Sequence, residues 1–408
     1  MEENIKLYMQ YRKNYYERMR LIKQRVEEGK KIRVGFFVQS LSSFSALPLY
    51  ETMRKDELFD AKIVMYPSVY NMNNASHLYE EAEKVFGKEQ VINIYIYNQE
   101  NVYRSFDKLF DMIVFVNPYD NIVLPIHSIE HFAMLGVLTV FILYGYCISN
   151  HKLDFFRKGH EVSSLWKYYV DSKASYEEYK VHSPLKGKNA KFLGYVKMDN
   201  FMPLPTVPNG KKRIIITAHH SMQISTQSIG IQFSCFLRYY DFYLRLAKMY
   251  PDVDFIFRPH PLWQTVLRES WPEEMIQEYL QKIDELPNMF YHTDPNYFDL
   301  FNVSHAMIND CGSYNAEYMF TGKPLLMLSK GNEKDRENYN KYFAQKCIKH
   351  HYKAFCERDI ITFIEEIVLK GQDFMKEERM EFFEKEIKGN WPHSAQYVLE
   401  DIKAAILG

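Results

Sequence analysis

The chain has 408 residues, 47% hydrophobic and 25% charged, with a formal net charge of -1. That length exceeds what one core usually organises and calls for two domains, and the apolar content is ample for two packed cores. Near-zero charge disfavours nucleic acid as a partner, five scattered cysteines imply free thiols in a reducing compartment, and no apolar run approaches a membrane span, so a cytoplasmic chain without a signal peptide is expected.

In chain order, residues 1–30 read as one helix. Ile5, Tyr8, Tyr15, Met19, Ile22 and Val26 make a narrow apolar seam interrupted by Arg12. Its Lys and Arg residues could meet an anionic membrane surface peripherally, but Glu2, Glu3, Glu17, Glu27 and Glu28 dilute that signal. Docking on the body of the protein, or on a second copy to form a homo-oligomer, is the preferred reading. Short apolar strands follow at Ile32–Gln39, Ala61–Tyr66, Val91–Tyr95, Met112–Val116 and Leu138–Leu143, with helices such as Ser76–Phe86 and Ser128–Leu135 between them. Two further strands, Leu165–Val170 and Lys191–Leu193, finish this half. Strands alternating with helices imply a parallel sheet covered on both faces. No Gly-x-Gly-x-x-Gly follows the first strand, so the usual dinucleotide fingerprint is missing.

Asp199 to Lys212 holds three prolines and a glycine without periodicity and reads as a linker. A second alternation follows: Arg213–Ala218, a helix near Phe233–Met249, Val253–Phe257, a helix near Pro272–Ile283, Met289–Tyr291, and then Asp299–Leu328 as strand, turn, helix, turn and strand. Residues from Asn338 to Gly408 read as helices. The expected division is an N-terminal helix (1–30), a Rossmann-like acceptor domain (31–205) and a Rossmann-like nucleotide-donor domain with a helical tail (206–408). Two doubly wound α/β domains facing a cleft make a glycosyltransferase-B-like fold.

Three stretches of the second half can carry chemistry. Asp310, Cys311, Gly312 and Ser313 form a turn that opens a helix, where unpaired N–H groups and the Ser313 hydroxyl can hold a phosphate; the plainer alternative is that Asp310 and Ser313 only cap the helix. Arg258-Pro-His260-Pro places a guanidinium and an imidazole at the carboxyl end of a strand, where open α/β sheets bind ligands. His219 and His220 occupy the matching end of the domain's first strand and could bind phosphate, share a proton or simply be exposed. Metal ligation is not expected there, since no matching Cys/His cluster accompanies them in the sequence.

FIFRPHP, followed by FDLFNVSHAMINDCGSYNAEYMFTGKPLLML, resembles the CDP-glycerol glycerophosphotransferase family of teichoic-acid polymerases and primases. Asp310 matches that family's Asp, Ser313 its second Ser, Glu317 its helix acid, and Lys323-Pro324 its closing pair. Gly194-Tyr195, Lys197 and Asp199 resemble the run before the linker, with Lys197 in place of an Arg. The first half departs from the pattern: Leu143-Tyr144-Gly145 stands where the family carries Trp-His-Gly, whose His is the proposed base. Gly312 replaces the first Ser of the turn.

The resemblance implies transfer of an alditol phosphate from a CDP-linked donor to a lipid-linked or saccharide acceptor, with no cofactor. Arg258, His260 and Asp310 would be catalytic, and Arg258, His260, Gly312, Ser313, Glu317, His219 and His220 would bind the donor. Tyr144, Gly145 and the nearby His151 would lie on the acceptor side. The rivals are a nucleotide-sugar transferase of the same fold and a catalytically silent nucleotide-binding partner.

Overall fold

The computed structural model describes residues 2–66, 68–69, 75–94, 103–117, 119–150, 153–204, 210–222, 232–310, 312–331 and 337–408. The chain divides into two compact units: residues 1–145, 154–201 and 387–408 form the first, and residues 146–153 and 202–386 the second.

The first unit is built on a seven-stranded sheet in the order β3-β2-β1-β4-β5-β6-β7. These strands are β1 (Ile32–Val38), β2 (Phe59–Met65), β3 (Val91–Asn93), β4 (Met112–Phe115), β5 (Leu138–Ile142), β6 (Lys167–Tyr169) and β7 (Ala190–Lys191). Every pairing is parallel, as the continuous apolar runs require of strands buried on both faces.

The second unit has six parallel strands in the order β10-β9-β8-β11-β12-β13. They are β8 (Lys212–Ala218), β9 (Val253–Pro259), β10 (Met289–Tyr291), β11 (Ala306–Asn309), β12 (Leu325–Leu328) and β13 (Tyr352–Ala354). Strand order reverses between β1 and β4 in one sheet and between β8 and β11 in the other. Such reversals open the crevices in which doubly wound sheets take ligands. β13 lies inside the stretch read from sequence as helical; it is a three-residue edge strand, too short to show a period of two.

The N-terminal helix, Glu2–Glu27, docks on its own unit. Tyr8, Tyr11, Tyr15 and Ile22 are buried in the first core, while Ile5, at the start of the seam, stays 46% exposed. The Tyr15 hydroxyl donates to the Ser164 carbonyl at 2.7 Å, and Arg25 pairs with the buried Asp111 at 2.7 Å. Arg12 does not interrupt this packing: its guanidinium donates to the Trp166 carbonyl at 2.9 Å and to that of Leu165.

The C-terminal helix, Ser394–Leu407, also belongs to the first unit, whereas the sequence reading attached the whole tail to the second domain. Ala395, Val398, Leu399, Ile402 and Ile406 enter the same core as the N-terminal tyrosines. Asp199 accepts from the Ala395 N–H at 2.6 Å and so tethers the start of that helix. Gly194 sits at φ +97°, and a Cβ there would run into Ser394 Oγ and the Asn390 nitrogen, which is why glycine holds this position. Among the described residues no helix is long and apolar enough to cross a membrane, and the four described cysteines are free thiols.

Candidate active site

The carboxyl ends of β8 and β11, at the strand-order reversal of the second sheet, are joined by a buried carboxylate. Asp310 follows β11 and accepts from the His219 N–H at 2.8 Å, from the Cys235 N–H at 2.7 Å and from the Ser234 hydroxyl at 3.3 Å. Cys235 directly precedes the helix Phe236–Met249, so Asp310 anchors both the His219 loop and the start of that helix. Burial pushes its carboxyl up to about 6, against the pull of its three hydrogen-bond donors. Asp310, expected to be catalytic, is therefore engaged within the protein and positions the loop that carries His219.

His260, after β9, completes a cluster that the sequence reading did not foresee. Its N–H donates to the Ala218 carbonyl at 2.8 Å, which draws the loop after β9 toward β8. The ring of His220 lies 4.3 Å from that of His219 and 4.2 Å from that of His260, and one nitrogen from each of the three rings falls within 4.8 Å of the others. The expectation that no matching cluster accompanies these histidines is corrected: β8 and β9 are parallel neighbours with Ala218 opposite Pro259, so the residues that follow them meet although they are far apart in the chain.

The tautomers decide what such a cluster can hold. His219 Nδ1 accepts from the Ser221 N–H at 3.0 Å, and His260 Nδ1 accepts from the Leu262 N–H at 3.1 Å. A ring nitrogen facing a backbone N–H carries no proton, so in both neutral rings the proton sits on Nε2. Metal-bound histidines use the opposite arrangement, donating their second N–H to an acceptor. Burial first, and then the neighbouring rings, hold His219 well below the usual histidine range and His260 down to about 3; burial also lowers His220. Among the described residues His220 Nδ1 is buried without a hydrogen-bond partner. The site thus presents uncharged N–H donors at the reversal point, chemistry suited to an anion's oxygens.

Arg258 turns the other way, toward β10. Its Nη1 donates to His292 Nδ1 and to the Asp294 carbonyl, both at 2.7 Å, and its Nε donates to the Tyr314 hydroxyl at 3.2 Å. The guanidinium carbon also lies 5.2 Å from the centre of the Tyr297 ring. Arg258 is therefore linked through Tyr314 to the turn holding Ser313, whereas His260 faces β8. Ser313 adopts helical backbone angles and makes no capping bond through its side chain, so its hydroxyl is not used in the way the plainer alternative required. At Gly312 an added Cβ would meet nothing within 4 Å.

Glu317, expected at the donor, is buried beneath this layer and accepts from the Tyr297 hydroxyl. Lys323 donates to the Phe301 and Asn302 carbonyls at 2.7 and 2.8 Å, and burial lowers its ammonium to about 8. His292, Tyr297 and Tyr314 were missed by sequence reasoning. His292 had an available signal, because it immediately follows β10 and so shares the strand-end position of His219 and Asp310. In the first unit, Tyr144 is 39% exposed just beyond β5, with Gly145 beside it. The next residues belong to the second unit, where Tyr146 stacks on Phe343 and the Cys147 carbonyl accepts from Asn340 at 2.6 Å. His151 and Cys311 lie outside the described residues.

No protein-family description and no curated protein sequence matches the chain. Solved structures do. The wall teichoic acid polymerase TagF is similar at 14% identity with a TM-score of 0.60, over 100% of this chain and 98% of that one. UDP-GlcNAc 2-epimerase from Neisseria meningitidis, solved with UDP-GlcNAc, is similar at 12% identity with a TM-score of 0.57, over 92% of this chain and 100% of that one. S. aureus MnaA, solved with UDP, gives 12% identity and a TM-score of 0.56 over 93% and 98%. At these identities the likeness establishes the architecture of two Rossmann-like α/β units and leaves chemistry to the site.

Proposed function

We propose that the chain is a transferase that moves glycerol phosphate, or a similar alditol phosphate, from a CDP-linked donor to an acceptor hydroxyl in the synthesis of a teichoic-acid-like surface polymer. The observation that carries the reading is the gathering of His219, His220 and His260 as uncharged rings at the reversal of the second sheet, with two Nε2–H donors fixed by backbone N–H groups. In the proposed reaction the acceptor oxygen attacks the donor's β-phosphorus. A new P–O bond forms, the bond to the bridging oxygen breaks, the hydroxyl proton is released, and CMP leaves with the electron pair.

Such a transfer depends on positioning and on stabilising charge that spreads over the phosphoryl oxygens, and it needs little assistance from a base. That last point suits a chain with Tyr144 where the resembling family carries histidine, because an unperturbed phenol at about 10 is a poor base near neutrality. His219 and His260 would donate to phosphate oxygens, the Ser313 hydroxyl would add a further donor, and Arg258 would supply fixed positive charge. The acceptor would be lipid-linked or a saccharide.

A uridine-linked sugar donor is the competing reading, since two similar structures contain UDP-GlcNAc or UDP. Incubation with CDP-glycerol, UDP-GlcNAc and a GDP-sugar, each with a lipid-linked saccharide as acceptor, followed by quantification of released nucleotide, separates the two. CMP release from CDP-glycerol alone is expected, and it should persist in excess EDTA because the tautomers favour donors over metal ligands. Release of UDP alone, or turnover abolished by the chelator and restored by a divalent cation, would overturn the reading.

A further inference from the structure

The first unit carries a basic cavity far along the sheet from the strand-order reversal, at the β7 edge. It is open, about 560 Å³ counting the solvent at its mouth, and lies where the N-terminal helix, β6, β7 and the C-terminal helix meet. Arg12, Lys167, Lys188 and Lys191 line it, and Asp401 is the one carboxylate among its lining residues. Both Asp401 oxygens are already taken, one by Lys191 and the other by Lys167 and the Tyr169 hydroxyl. One negative charge against four positive ones leaves three in excess around a concave surface.

One group in this wall has capacity to spare. Arg12 is held by carbonyls on its two terminal nitrogens and its Nε is shut away from solvent, so it contributes fixed charge to the wall. The exposed Lys188 ammonium makes no hydrogen bond or ion pair among the described residues. Clustered cationic groups around one concave surface repel one another, so an anion entering the cavity would relieve that repulsion.

We propose that this cavity binds a phosphate ester, with Lys188 and Lys191 as its adaptable contacts and Arg12 as its fixed wall. The chemistry is shared by a free phosphate ester, such as one unit of a polyol-phosphate chain, and by the headgroup of an anionic lipid. The inference is independent of the donor site in the second unit.

The test uses the full chain carrying His260→Asn, so that phosphate binding at the second unit is weakened in every arm. Calorimetric titration with inorganic phosphate and with glycerol 3-phosphate, and flotation with vesicles of phosphatidylglycerol and phosphatidylcholine, should reveal binding to at least one probe. Lys188→Glu, and separately Lys191→Ala, should weaken that binding about ten-fold or more while circular dichroism stays unchanged. Response to glycerol 3-phosphate assigns a soluble ester, and response to phosphatidylglycerol vesicles alone assigns a headgroup; either supports the site. Absence of binding to all probes, or affinities unchanged within about two-fold in both variants, overturns it.

Discussion

Three half-buried imidazoles and one buried carboxylate at the ends of neighbouring strands give this protein a pH dependence whose sign follows from its parts. An unfolded histidine titrates near 6.5, whereas His260 in the folded chain is lowered to about 3. Between those values the unfolded state binds the proton and the folded state does not, so the His260 contribution is complete above 6.5 and is lost as pH falls toward 3. Asp310 works in the opposite sense: its folded value near 6 exceeds its unfolded one, so stability from this group is present at low pH and declines as pH rises through 6. Each such group contributes at most about 1.4 kcal/mol per pH unit. Because the two groups oppose one another over this window, the comparison between variants is the test: in denaturant titrations from pH 6.5 to 4 the stability of His260→Asn should fall less steeply, or rise more, than that of the parent. An unchanged slope would mean that His260 is not buried as a neutral ring. Asp310→Ala should cost stability as well as turnover, because each of the three abandoned donors costs about 1–3 kcal/mol. A variant with lost activity and an unchanged unfolding midpoint would instead return Asp310 to a direct chemical role.

At the scale of the element, the turn after β11 and the helix that ends the chain behave differently from what glycine and tail positions suggest. Gly312 is not imposed by crowding or by a left-handed backbone, since an added Cβ meets open space and its φ is not among the positive ones. Gly312→Ser, the residue of the resembling family, should fold with a midpoint within about 0.5 kcal/mol of the parent and leave donor affinity intact or improved. A large loss of stability would show that the turn is tighter than its geometry indicates. The helix Ser394–Leu407 is by contrast structural. Ile402 is fully buried in the first core, and Ile402→Ala should destabilise the protein by about 2–5 kcal/mol. Hydrogen exchange locates the effect: protection should fall in β1 and β2 of the first sheet, and a fall confined to β8 and β9 would contradict the packing.

For the whole molecule, two sheets of one design hold different resources. Both reverse strand order once, between β1 and β4 or between β8 and β11, but the loops at the second reversal carry the converging histidines. The chain enters the second unit twice, through residues 146–153 and 202–386, and returns to the first for its last helix. A mutation in the tail is therefore a mutation of the first unit, and a mutation just after β5 falls on either unit depending on which side of residue 145 it lies.

The strands and their parallel pairing were legible in the sequence because apolar runs such as IRVGFFV and RIIITA can be buried on both faces only inside a covered sheet. Arg258, His260, His219 and Ser313 stand out as candidates in the sequence because they lie at the end of a strand, follow one or open a helix, positions defined along the chain. What the sequence could not assign was direction. Arg258 and His260 are two residues apart, yet one joins β10 and the other β8, because His260 lies beyond the end of the strand and its backbone bonds to Ala218. Asp310 reads along the chain as a chemical group, and the structure shows it also holding two backbone segments together, since the N–H groups that it accepts from belong to residues distant in the chain. The division of the tail followed the same rule: apolar spacing made Ser394–Leu407 a helix, but only the shape of the first core decided where that helix is buried.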